Sequence, residues 1–209
     1  MSERTSSPFH RESRGGSLLT ARGGAETSAV VLLCGNVFNG LSDALTSPAE
    51  ILVERNRISG IERSVGWPPG ACVIDLSERT VSPGFIDTDV HLTMDAANLA
   101  LQTLQSSAAK APKGLSIAHE YMNYGFTSLR DLGSVDPEWP TVDLGNAPDT
   151  GLVEGPRLFV AAHIISASAR HGDPLGFYGS RWTLPVSAIA DGLGSIGALV
   201  RREHTFGSH

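Results

Sequence analysis

Val81-Ser82-Pro83-Gly84-Phe85-Ile86-Asp87-Thr88-Asp89-Val90-His91-Leu92 is the most informative run in the chain. A Pro-Gly pair opens an apolar run, and polar groups then recur at alternate positions. Side chains on a strand alternate between its faces, so this spacing predicts that Asp87, Asp89 and His91 share one face. A carboxylate and an imidazole at i and i+2 near a strand's end can bind the same divalent ion. Asp87 is read as a brace for nearby backbone rather than a third ligand.

Downstream of this strand, helical and extended patterns alternate. Ala96 to Tyr124 is rich in Ala and Leu and reads as helix, with a break or kink at Pro112 and a stop at Gly125. Thr127 to Leu132 reads as a second strand. Thr141 to Thr150 stands where a helix belongs, although Gly145 and Pro148 weaken it. Arg157 to Ala161 reads as a third strand, Ala162 to Leu184 as a loop, and Val186 to His204 as a helix weakened by three glycines. Strand, helix, strand, helix, strand is a βαβ series, which implies a parallel sheet. Phe85, Leu129, Phe159 and Val160 are expected in its core.

Upstream the signals are short strands. Val30 to Leu33, Ile51 to Glu54, Arg57 to Ile61 and Cys72 to Leu76 are apolar or β-branched. Arg55-Asn56 between two of them suggests a tight hairpin, with Asn supplying the positive φ. The domain expectation is thus a disordered tail over 1–27, part of a β-domain over 28–82, and β/α units over 83–209. Residues 1–27 lack the apolar core of a secretory signal, and Glu3, Glu12 and Glu26 argue against a mitochondrial presequence.

Bulk properties narrow the partners. With 41% apolar residues and a net charge of −6, there is no electrostatic case for nucleic acid or an anionic membrane. No stretch is long and apolar enough to span a bilayer. Only Cys34 and Cys72 are present, so a reducing, cytoplasmic setting is the default.

Three segments carry a resemblance to a known family. They are the 81–87 run, Tyr124-Gly125-Phe126-Thr127-Ser128-Leu129-Arg130-Asp131-Leu132-Gly133, and Gly155-Pro156-Arg157-Leu158 leading through Ile164-Ile165-Ser166 to His171-Gly172-Asp173. In order and spacing they resemble the N-terminal half of metal-dependent amidohydrolases, in the subgroup similar to imidazolonepropionases, prolidases and fungal ochratoxinases. The resemblance implies an α/β fold, a partial TIM-like (β/α) barrel preceded by an incomplete small β-domain. It implies hydrolysis of a carbon–nitrogen bond in an amide or dipeptide-like small molecule, with zinc as the divalent metal. Asp89 and His91 stand where the family carries two strand-one histidines, so Asp89 departs from the pattern. Either Asp89 still ligates the metal or it is a damaged ligand position.

Resemblance also places His171, Arg130 and Asp131 near the substrate pocket. The plain alternatives are an exposed loop histidine and an Arg130–Asp131 ion pair that fixes the loop. His163 falls near the end of the third strand with nothing to pin it to the rim. At roughly 30 residues per unit, Pro83 to His209 holds three or four β/α units, whereas a closed barrel has eight in roughly 250 residues. Lys110 and Lys113 both lie in the first helical stretch, so neither fits the family's strand-four lysine. The expectation is therefore a truncated product, inactive as it stands. The alternative is a non-catalytic remnant or partner-binding fragment, whose open sheet edge invites self-association.

Overall fold

The computed structural model describes residues 29–95, 104–170, 172–173 and 188–208. The expected tail over 1–27 and the expected helical start over 96–103 lie outside them. The chain divides at Pro83/Gly84 into two compact units.

In the first unit, β1 (Val30–Val37), β2 (Ala49–Glu54), β3 (Arg57–Glu62) and β4 (Cys72–Val81) form one sheet in the order β3-β2-β1-β4. The β2–β3 hairpin turns at Arg55-Asn56, but the positive φ (59°) falls on Arg55, not on Asn56 as expected. β1 pairs antiparallel with β2 and parallel with β4. Its ladder with β4 slips between Cys34 and Asn36, around Gly35. A Cβ on Gly35 would lie 2.2 Å from the Ser77 carbonyl oxygen, so only glycine allows this approach. Cys34, Val37, Ala49 and Ile51 form the core, with Leu32, Val53 and Val81 packed against it.

The second unit carries the expected βαβ series. β5 (Phe85–Val90), β6 (Phe126–Asp131) and β7 (Arg157–Val160) form a parallel three-stranded sheet in that order. Helix α1 (Ser107–Asn123) connects β5 to β6, α2 (Pro140–Asp149) connects β6 to β7, and α3 (Leu193–Thr205) follows β7. Among the described residues the sheet does not close into a barrel.

Pro112 does not end α1, which runs on through it to Asn123. The lost backbone donor is tolerated because the flanking turns are anchored by buried Lys110, Gly114 and Ala118. α2 forms despite its weak composition. Pro140 stands in its first turn, where the missing N–H is harmless. Gly145 lets the helix approach β7, its position for a Cβ being 3.0 Å from the Val160 methyls. α3 starts after Gly192 (φ +103°), seven residues later than its sequence pattern suggests, and Ile189 before it bridges to Ser166 instead.

The core unites Val90, Leu92, Leu129, Leu158 and Val160 of the sheet region with Ala118 of α1 and Leu144 of α2. Leu129 aligns with Leu158 and Arg130 with Phe159, so adjacent residues of β6 and β7 alternate between the helix-covered face and its opposite. Two expected core residues fail this test. Phe159 is 48% exposed because its register places it opposite the helices, and Phe85 is 56% exposed at the start of β5, tilted against Phe126.

Candidate functional site

All three strands of the parallel sheet end on the same side. The residues just past Val90, Asp131 and Val160 therefore gather on one rim, which is where open and closed α/β sheets place their chemistry. Asp87 aligns with Leu129 and Val90 with Asp131, so three steps on β5 match two on β6. This bulge breaks the strict alternation expected from Asp87 to His91. Asp87 Oδ1 accepts the N–H of Asp89 (3.1 Å), bracing the bulge. Asp89 itself is exposed.

His91 follows the last residue of β5, and its Nδ1 lies 2.7 Å from the Gly133 carbonyl oxygen. A carbonyl only accepts, so Nδ1 carries the hydrogen, and in the neutral ring Nε2 keeps its lone pair. Among the described residues nothing donates to Nε2. This is the arrangement in which a metal-binding histidine is usually found, one ring nitrogen donating to backbone and the other presented to the ion.

Asp131 ends β6 and is 1% exposed. Its Oδ2 accepts from Leu92 N (2.7 Å) and its Oδ1 from Gly133 N (2.8 Å). Burial pushes its carboxyl up to about 6, with the two N–H donors and the nearby His91 pulling the other way. The folded state thus holds this proton to a higher pH than the unfolded chain does. Stability contributed at low pH is lost as pH rises from about 4 to about 6, by roughly 3 kcal/mol at a little under 1.4 kcal/mol per unit. Asp131→Asn is expected to flatten that part of the stability profile, read by urea unfolding across pH. An unchanged slope would show that Asp131 is solvated.

Arg130 and Asp131 form no ion pair. They are neighbours on a strand and point to opposite faces, Arg130 exposed in register with Phe159 and Asp131 buried in register with Val160. His171 lies outside the described residues.

Two clusters escaped the sequence reading. His163 is buried, with Nδ1 2.7 Å from Glu203 Oε2 and Nε2 2.9 Å from the Glu138 carbonyl oxygen. Trp139 stands edge-on to its ring and stacks on Phe206. This cluster ties the C-terminal end of α3 to the rim. The second is Lys110, buried and ion-paired with buried Asp136, which also accepts from Ser107 Oγ and Glu138 N. Among the described residues no group of three or more His, Cys, Asp or Glu side chains could hold a metal.

Solved structures share the fold. A prolidase complexed with N-methylphosphonate-L-proline matches at 30% identity and TM-score 0.75, over 87% of this chain and 45% of its own. A Xaa-Pro dipeptidase with methionine bound in its active site matches at 26% identity with the same TM-score and the same shares. A structure described as an amidohydrolase matches equally, at 26% identity. The chain is amidohydrolase-like. The ochratoxinase of A. niger, at 21% identity and TM-score 0.66, shares the fold. This amidohydrolase-like chain spans less than half the length of these neighbours. No family model and no curated protein matches it.

Proposed function

We propose that the rim described above is the strand-one part of a divalent-metal centre in a hydrolase of carbon–nitrogen bonds, acting on amide or dipeptide-like small molecules. The observation that carries this is His91 at the C-terminal end of a parallel sheet, whose Nδ1 donates to the Gly133 carbonyl, which in the neutral ring leaves Nε2 its lone pair. The likeness to a prolidase and a Xaa-Pro dipeptidase supports the substrate class. On this reading the sheet is a segment of a (β/α) barrel, and the two free cysteines suit a reducing, cytoplasmic setting.

The residues present fit such a centre in part. His91 would hold the ion, joined by Asp89 on the family resemblance alone, zinc by the chemistry of an imidazole and a carboxylate. When bound, the metal would supply an activated water for attack on the carbonyl. The chain's own residues do the positioning. Arg130, exposed on the face opposite the helices, offers a planar pair of donors to the carboxylate of a dipeptide-like substrate. Asp131 holds the backbone just after His91 and the turn that carries Gly133. His171 belongs by resemblance at the pocket mouth.

Two donors bind weakly where three or four are needed. The purified chain is expected to retain far less than one equivalent of zinc after dialysis, and to hydrolyse no N-acyl amino acid or dipeptide. Asp89→His is expected to tighten zinc binding about tenfold, by replacing a short carboxylate with a second imidazole. Calorimetric zinc titration of wild type, Asp89→His and His91→Ala checks this. Equal affinities in all three would remove residues 89 and 91 from the metal reading.

A second reading, a partner-binding fragment, is favoured by the sheet's surface. Ile86 (68% exposed) and Phe159 (48% exposed) lie on strands that are the two edges of the sheet among the described residues. Parallel sheets are normally covered on both faces, so a second copy is the proposed occupant. Sedimentation velocity showing only monomer at high concentration would discard it.

A further inference from the structure

We propose that Asp131 is a positioning residue that fixes the tautomer of His91. Asp131 reaches His91 through backbone, by way of the peptide groups on either side of the contact. Its Oδ2 takes the N–H of Leu92, the residue after His91, and its Oδ1 takes the N–H of Gly133, whose own carbonyl accepts from His91 Nδ1 at 2.7 Å. Leu132 N donates to the Val90 carbonyl (3.0 Å), closing the same short circuit from the other side. One buried carboxylate thus sets both the end of β5 and the turn after β6, and with them the distance from ring to carbonyl.

A free neutral imidazole has no such constraint and exchanges its hydrogen between the two nitrogens. Here the Gly133 carbonyl selects the Nδ1–H form, and Nε2 is left to donate its lone pair. Two N–H groups could have been satisfied by a neutral side chain only in part. An amide has a single acceptor oxygen, and its NH₂ would face the second N–H. A carboxylate with both oxygens used is the side chain that meets both donors, despite the cost of burying its charge. Retention of an ionisable group here is what a demand for two acceptors at fixed spacing requires.

The metal role of His91 rests on the function proposed above, whereas its tautomer does not. The experiment separates the two. Ring nitrogen shifts and long-range couplings of His91 are recorded on the metal-free 209-residue chain, above the ordinary imidazole titration range, for wild type, Asp131→Ala and Asp131→Asn. Asp131→Asn keeps the side-chain volume and serves if the alanine variant does not fold. The wild type is expected to show His91 as the Nδ1–H form alone. Each variant is expected to show a mixture with substantial Nε2–H form, the larger change in Asp131→Ala. Zinc titration of the same proteins is expected to show about 10- to 100-fold weaker binding in the variants, the usual cost of losing a group that orients a ligand. An unchanged Nδ1–H tautomer in the folded variants would overturn the proposal, whereas a shifted tautomer with unchanged zinc affinity would uphold it and count against the metal reading. A wild type locked as Nδ1–H that takes no zinc at any concentration would uphold the positioning role and sink the metal reading instead.

Discussion

Lys110→Met is expected to destabilise the second unit by about 3–5 kcal/mol, the usual result of removing one member of a buried ion pair. Lys110 and Asp136 are 4% and 1% exposed, so the stranded carboxylate would have no water to turn to. Burial alone would raise the Asp136 carboxyl. The hydrogen bonds from Lys110 and Ser107 and from Glu138 N, together with the lysine's charge, outweigh it and hold the group below the ordinary carboxylate range. Its stabilising part is therefore present above that range and lost as pH falls through it. Lys113 supplies the control. Its pair with Asp95 is 42% and 38% exposed, and Lys113→Met is expected to cost no more than about 1 kcal/mol. Urea midpoints of the two variants, compared at neutral pH, decide the matter. Two equally small effects would mean that the Lys110 pair is hydrated in solution.

Gly133→Ala should be nearly as damaging, and its damage should reach the site. Gly133 has φ +95°, and a Cβ there would sit 2.7 Å from the His163 carbonyl carbon. The backbone strain alone is worth about 1–3 kcal/mol. The overlap adds to it, because Ser134 N and O are both bonded to the strand-seven side, at Ala162 O and Ile164 N. Relief requires the 131–134 turn to move away from His163, which carries the Gly133 carbonyl out of place for His91. Gly70→Ala separates the two causes, since Gly70 has φ +78° with nothing within 4 Å of its added Cβ. Unfolding midpoints should fall further for Gly133→Ala than for Gly70→Ala. Equal losses would leave the close approach to His163 without energetic weight.

What the sequence made legible follows from where the information sits. The β5–α1–β6–α2–β7 order is written in local apolar periods and in Pro83-Gly84 and Gly125, so it can be read residue by residue. The bulge between Asp87 and Val90 is not local. It arises from how β5 registers against β6, and no period within β5 encodes it. β4 runs to Val81 although Ser77 to Thr80 are polar, because ladder hydrogen bonds to β1 need no apolar side chains on an exposed strand. The site shows the same division. His91 stood out at the end of an apolar strand. Its partner is a backbone carbonyl 42 residues away, invisible to any side-chain motif. His163 and Glu203 are 40 residues apart and meet only because α3 returns to the rim. Lys110 was legible only as a lysine in the first helical stretch, since nothing nearby in sequence announces Asp136. For Arg130 and Asp131 only the alternative of an ion pair fails: adjacent strand residues cannot pair when one faces the helices and the other does not.

That opposition within β6 also acts as a proofreading device during assembly. A slip of one residue in the pairing of β6 would turn every one of its side chains to the other face. Arg130 would be driven among Leu144, Leu158 and Val160, and a guanidinium, which cannot shed its charge, would have no acceptor waiting for it. Asp131 would lose Leu92 N and Gly133 N together. The wrong register is therefore penalised twice, by two consecutive residues of the strand that carries the site's anchoring carboxylate.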